Sequence, residues 1–150
     1  MPPWSSQTPN VPASDLPLSW RLRAGMAALV IPPLIHVIPL HRLAVRLGHG
    51  RARPAAAPDD EQAAAWIDAV LRHLPWPWHH TCLKRSAVLY HLLRRAGVPV
   101  ELQIGVRRTP GGPLAAHAWL VRDGVPYLET EPENITGFTP LARFPETPVT

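Results

Sequence analysis

The stretch TCLKRSAVLYHLLRRAGVPVELQIGVR, residues 81–107, contains the change of period that decides the fold. Leucines recur at helical spacing in its first half, and Thr81 is a suitable N-cap for a helix over residues 82–96. Gly97 and the proline two residues later form a helix stop signal. Apolar and polar residues then alternate over residues 100–106, which predicts a half-buried strand.

Two more strands are predicted downstream, over residues 114–121 and 125–129. The tail beyond them is punctuated by prolines, and its apolar residues are expected to pack it against the core. These residues are Ile135, Phe138, Leu141 and Phe144. Helices followed by an antiparallel meander predict an α+β fold, with N-terminal helices and a small antiparallel sheet.

The upstream half divides by composition. Residues 1–15 are rich in Pro and Ser and predict a flexible leader, whereas residues 16–58 predict an N-terminal helical segment and a linker. Pro32 and Pro33 predict a break between two short helices. Asp59, with Gln62 three residues on, predicts a capping box that opens a helix ending near residue 74. Residues 59–150 are then the core domain.

Composition bounds the class of protein. The chain has 150 residues, of which 46% are hydrophobic and 17% charged, so it can form one domain and is not disordered over most of its length. A net charge of +4 comes from scattered arginines without a basic stripe, which argues against nucleic acid as a partner. Residues 26–40 are apolar but short and interrupted by prolines, so stable membrane insertion is not expected. No signal peptide is expected either, and the predicted location is cytoplasmic.

The single cysteine is the first candidate for chemistry. Cys82 falls at the predicted start of a helix, where the positive end of the helix dipole stabilises a thiolate and unpaired backbone N–H groups can hold an oxyanion. A small buried hydrophobe is the ordinary alternative for a lone cysteine.

His117 is the candidate base, and the register of the following hairpin decides which acid faces it. A three-residue Arg-Asp-Gly loop would pair Val121 with Val125 and place His117 opposite Glu129, and the glycine at the last loop position favours this register. A two-residue loop would instead place Glu129 opposite Ala118, on the other face. Glu129 is therefore the predicted orienting acid, with Glu131 as the runner-up and a solvent-exposed Glu129 as the alternative.

Aromatic and histidine residues near Cys82 and His117 allow other roles. Trp78 and Trp119 are candidate substrate-binding residues, with ordinary packing as the alternative. His79 and His80 could bind zinc together with Cys82 and His117, but adjacent histidines point in different directions and no second cysteine exists. The expectation is therefore no metal and no cofactor.

Four linked motifs carry a resemblance to a known family. They are Cys82-Leu83-Lys84-Arg85-Ser86, Leu92-Leu93-Arg94-Arg95-Ala96-Gly97, Ile104-Gly105-Val106-Arg107 and Ala116-His117-Ala118-Trp119. In this order, and over roughly residues 59–144, the chain resembles the transglutaminase-like cysteine peptidases that remove leader peptides in lasso-peptide biosynthesis.

This resemblance implies a Cys-His-Asp triad on a papain-like core that cuts a precursor peptide between its leader and core segments. Cys82 would be the nucleophile and His117 the general base, while Glu129 stands where the family commonly has Asp. The family also commonly uses a small leader-binding domain, which the first 58 residues do not resemble, so a separate leader-binding protein is expected. The apolar residues 29–40 either cover the core or form a docking face for a partner enzyme such as the lasso cyclase.

Two alternatives stay open at this point. An amine acyltransferase or transglutaminase would use the same thioacyl intermediate. A non-catalytic peptide-binding subunit of the maturation complex would use none of this chemistry.

Overall fold

The computed structural model describes residues 16–48, 59–76, 81–129 and 135–145. Within these ranges four helices precede four strands, as the α+β prediction requires. The helices are α1 (Leu18–Val37), α2 (Leu40–Gly48), α3 (Asp60–His73) and α4 (Cys82–Arg95). The strands are β1 (Glu101–Arg108), β2 (Leu114–Arg122), β3 (Val125–Tyr127) and β4 (Thr139–Phe144).

Helix α4 is the centre of the core. It contacts α1, α2, α3, β1 and β2, and residues 84–90 are all buried. Thr81 caps it as predicted, since the Lys84 amide donates to Thr81 Oγ1 at 3.3 Å. Gly97, with a φ of 87°, ends it in the left-handed region that favours glycine. The predicted capping box of α3 is absent, because Asp59 makes no side-chain cap hydrogen bond.

The sheet is antiparallel, with the order β3-β2-β1-β4. Its fourth strand was not predicted, because Pro140 interrupts the pattern and proline is tolerated only in edge strands of this kind. Phe144 is buried as expected, but Leu141 is 71% exposed and is left without a partner in β1 by the register shift between its neighbours Pro140 and Ala142.

The predicted break at Pro32 and Pro33 is wrong. Helix α1 continues through both prolines, because its inner face, including Pro32 itself, is buried in the core and packing outweighs the lost backbone hydrogen bonds. The break comes instead at Ile38, which is extended at φ −107° and ψ 134°, as the residue before Pro39 should be. Within the described ranges, no helix is long and apolar enough to cross a membrane.

The predicted hairpin register is also wrong. Arg122 pairs with Val125, so the loop has two residues, Asp123 and Gly124, with φ of 53° and 77°. Positive φ at both positions defines a type I′ turn, whose twist matches that of the flanking strands. By this register residue 129 falls in line with Ala118, and β3 stops at Tyr127 before reaching it.

Candidate active site

Cys82 is the first residue of α4, and its side chain is partly exposed. The Thr81 cap uses the Lys84 amide, and the Arg85 amide donates to the Thr81 carbonyl at 3.0 Å. The amides of Cys82 and Leu83 are therefore the N–H groups of this first turn that helix bonding does not use. A thiolate or an oxyanion placed there meets these N–H groups at the positive end of the helix dipole.

His117 and Glu129 form a hydrogen-bonded pair. His117 Nε2 lies 3.4 Å from Glu129 Oε2, and the two side chains expose only 15% and 10% of their surface. The contact forms despite the register, because Leu128 has a φ of 58° and redirects the chain after β3 ends. The predicted pair is thus brought together by an unpredicted backbone route.

An aromatic cluster fixes the other side of the imidazole. The His117 ring stacks on Trp119 with a centroid distance of 5.7 Å and an interplanar angle of 19°, and Phe138 lies 5.6 Å away. Trp119 is 3% exposed, so it supports the imidazole from beneath. Gly105, the strand partner of His117, leaves room for the Trp119 ring.

One hydrogen bond joins the nucleophile helix to the histidine strand. Ser86 Oγ donates to the Ala118 carbonyl at 3.0 Å. In this register that carbonyl points toward the edge that β3 leaves open, so Ser86 satisfies an acceptor that a longer β3 would have paired. Cys82 lies one helical turn before Ser86, and His117 adjoins Ala118. The backbones of the two candidate residues thus flank this α4–β2 contact, although the side chains of His117 and Ala118 point to opposite faces of the sheet.

The sulfur and the imidazole are not bonded to each other. Ala118 packs into the core shared with α4, whereas His117 stacks on Trp119, and no hydrogen bond joins Cys82 Sγ to the His117 ring in the described part of the chain. Trp78, His79, His80 and Glu131 lie outside the described residues. Among the described residues, no group of three or more His, Cys, Asp or Glu side chains could hold a metal ion.

Comparison with protein families identifies the fold. A family model for the transglutaminase-like superfamily matches residues 26–143, from the middle of α1 to the end of β4. The chain belongs to the transglutaminase-like superfamily. Membership in this superfamily indicates cysteine peptidase or acyltransferase chemistry. No curated protein and no solved structure was found to match the chain.

Arg85 is a residue of this transglutaminase-like site whose importance the sequence analysis missed. Arginine side chains are mostly exposed in folded proteins, yet Arg85 is 7% exposed and its Nε donates to Asp68 Oδ1 at 2.7 Å. The signal in the sequence is Asp68 itself, which directly follows Ile67 on the inward face of α3. A carboxylate buried there requires a cationic partner.

Proposed function

We propose that the chain is a cysteine peptidase that removes the leader from a ribosomally made precursor peptide during lasso-peptide maturation. Cys82 is the nucleophile, His117 the general base and then acid, and Glu129 the residue that orients the imidazole. Superfamily membership supports the class of chemistry, and the motifs around Cys82 and His117 support the substrate class.

The observation that carries the proposal is the His117–Glu129 hydrogen bond. A carboxylate accepts only, so the neutral imidazole that bonds to it carries its proton on Nε2. The Nδ1 lone pair is then free to take the proton of a thiol. A Glu is long enough to serve in the place of the Asp common in the family, because the left-handed Leu128 carries the backbone of Glu129 toward His117.

The proposed reaction has two steps, formation and hydrolysis of a thioester on Cys82. The Cys82 thiol gives its proton to His117 Nδ1, and the thiolate attacks the scissile carbonyl carbon, forming a C–S bond. The amides of the first α4 turn stabilise the oxyanion while the C–N bond breaks and His117 protonates the leaving amine. Water, deprotonated by His117, then attacks the thioester carbonyl, the C–S bond breaks, the proton on His117 returns to the Cys82 sulfur, and the leader acid leaves.

This chemistry requires Cys82 Sγ and His117 Nδ1 to lie within hydrogen-bond distance when substrate is bound. Catalytic hydrogen bonds are often long in unliganded enzymes and tighten in the substrate complex. A separate leader-binding protein delivers the precursor, and the reaction takes place in the cytoplasm.

The test is mass spectrometry of a lasso precursor incubated with the protein and a leader-binding partner. We expect hydrolysis at the leader–core junction. In Cys82→Ala and His117→Ala the rate should fall about 10⁴-fold, because the nucleophile and base act as a unit. His41→Ala replaces an exposed histidine of α2 and should leave the rate unchanged.

The other outcomes each contradict the proposal in a distinct way. A Cys82-dependent mass gain equal to an added amine would show acyl transfer in place of hydrolysis. Cleavage that survives in Cys82→Ala, or no cleavage by the intact protein, would remove Cys82 from the role of nucleophile.

A further inference from the structure

A buried arginine ties the segment after β3 to the first turn of α4. Arg85 Nη2 donates to the Leu128 carbonyl at 2.6 Å, while its Nε donates to Asp68 Oδ1 at 2.7 Å. The side chains of Arg85 and Asp68 expose only 9% and 10% of their surface. One guanidinium thus connects α3, α4 and the chain leaving β3.

Leu128, the acceptor of one of these bonds, has an unfavourable backbone conformation. Its φ of 58° lies in the left-handed region that residues with a side chain rarely adopt, and such residues persist where their surroundings fix them. The hydrogen bond from Arg85 is charge-assisted and therefore strong enough to contribute to this. The next residue, Glu129, is the one whose carboxylate reaches His117.

We infer that Arg85 is a positioning residue for the His117–Glu129 pair. By fixing the Leu128 carbonyl it holds the Glu129 carboxylate at Nε2, and Asp68 fixes the guanidinium in turn. Because Arg85 follows Cys82 by three residues on α4, one helical turn positions both the nucleophile and the acid. The catalytic consequence rests on the proposed function, whereas the effect on the imidazole does not.

Arginine is required here because two acceptors are bound at once by donors in a fixed fork. A lysine keeps the charge beside Asp68 but has a single ammonium, which cannot reproduce both bonds with the same geometry. Arg85→Lys is therefore the informative substitution. Arg94→Lys is its matched control, because Arg94 lies at the far end of the same helix and also donates to a backbone carbonyl, that of Val100 at 3.5 Å.

The measurement is the tautomer of the neutral His117 ring, read from imidazole ¹⁵N chemical shifts at an alkaline pH where those shifts no longer change with pH. Assignment uses His117→Ala, and Glu129→Gln is the reference for a lost carboxylate. We expect the Nε2–H form to dominate in the unsubstituted protein. Its ratio to the Nδ1–H form should fall about fivefold to tenfold in Arg85→Lys, as for the loss of one hydrogen bond. It should stay unchanged in Arg94→Lys.

Activity gives a second readout. In Arg85→Lys, kcat for precursor cleavage should fall about tenfold to a hundredfold with KM unchanged, because the imidazole and not the peptide site is misplaced. If Arg85→Lys does not fold, Asp68→Asn replaces it, since an amide oxygen still faces Arg85 and a smaller shift in the same direction is expected.

The positioning role is overturned if a folded Arg85→Lys, or Asp68→Asn in its place, keeps the tautomer ratio of the unsubstituted protein. It is equally overturned if Arg94→Lys changes that ratio as much. A changed ratio in a protein that cleaves no precursor supports the positioning role and counts against the proposed function alone, so the two failures are distinguishable.

Discussion

At the scale of single residues, the site depends on groups that support the imidazole without reacting. Trp119 stacks beneath His117, and Gly105 on the neighbouring strand makes space for the indole. A Cβ at Gly105 would lie 2.7 Å from Trp119 Cη2 and 3.0 Å from the Thr139 carbonyl oxygen. Glycine is therefore needed at position 105 because a side chain would clash with its neighbours, and not because of its backbone conformation.

Gly105→Ala should destabilise the protein by about 1–3 kcal/mol, because the indole must move to relieve the contact. The displaced indole should also lower the rate of the proposed cleavage through His117. Trp119→Phe alone should be destabilising too, since it leaves a cavity. In the variant that carries both Gly105→Ala and Trp119→Phe, the smaller phenyl ring leaves room for the alanine methyl group. The loss of stability should therefore be about 1 kcal/mol smaller than the sum of the two single losses. Thermal unfolding of the four proteins measures this coupling, and strictly additive losses would contradict the packing account.

At the scale of elements, the turn residues Asp123 and Gly124 set the register of the β2–β3 hairpin. This register in turn sets where the backbone leaves β3 before Glu129. Asp123 and Gly124 both adopt positive φ, and a Cβ at Gly124 would meet no atom within 4 Å. Any cost of a side chain at Gly124 is therefore a backbone cost.

Gly124→Ala should lower the free energy of unfolding by about 1 kcal/mol, since alanine is strained at a φ of 77°. Asp123→Asn should be neutral or slightly stabilising, because Asn-Gly is a preferred type I′ pair. Urea unfolding of both variants is the measurement. A Gly124→Ala protein as stable as the parent would show that the turn is not type I′ in solution.

Helix α1 has apolar residues on both its buried face and its exposed face. Its inner face is buried, while its outer face exposes Leu18, Leu22 and Met26 by 62–63% each. The apolar residues 29–40, whose role was open in the sequence, divide in the same way, since Ile31 is 3% exposed whereas Leu29 is 50% and Val37 79% exposed. Apolar composition alone could not separate these two faces.

At the scale of the whole molecule, a histidine bonds α4 to α2, both of which lie within the transglutaminase-like residues 26–143. His91 on α4 donates from Nδ1 to the Leu47 carbonyl on α2 at 3.1 Å. Burial lowers the pKa of His91, with the Arg95 charge adding to the effect and the bond to Leu47 opposing it.

A lowered pKa makes His91 a source of pH-dependent stability. The unfolded chain takes up a proton near pH 6.5, before the folded protein does, so the contribution is full above about 6.5 and is lost as pH falls toward the lower folded pKa. His91→Asn keeps a donor near Leu47 and cannot titrate. Urea unfolding between about pH 7.5 and 5 should therefore show a smaller loss of stability in the variant than in the parent. Equal losses would show that the His91–Leu47 bond between α4 and α2 does not contribute to stability in this way.

The sequence alone determined what depends on neighbouring residues. The order of helices and strands, the Thr81 cap, the stop at Gly97 and the three strands β1 to β3 follow from spacing and capping, which act within a few residues. Local signals also placed Cys82 at a helix start and His117 on a strand.

Only the tertiary structure decided what depends on contacts between distant segments. Burial of one helix face carried α1 through two prolines, pairing with β1 made the tail a strand, and the Asp68–Arg85–Leu128 connection brought Glu129 to His117 in a register that the sequence had misjudged. The physical reason is that hydrophobic burial and buried hydrogen bonds act between residues far apart in the chain, where no local pattern records them.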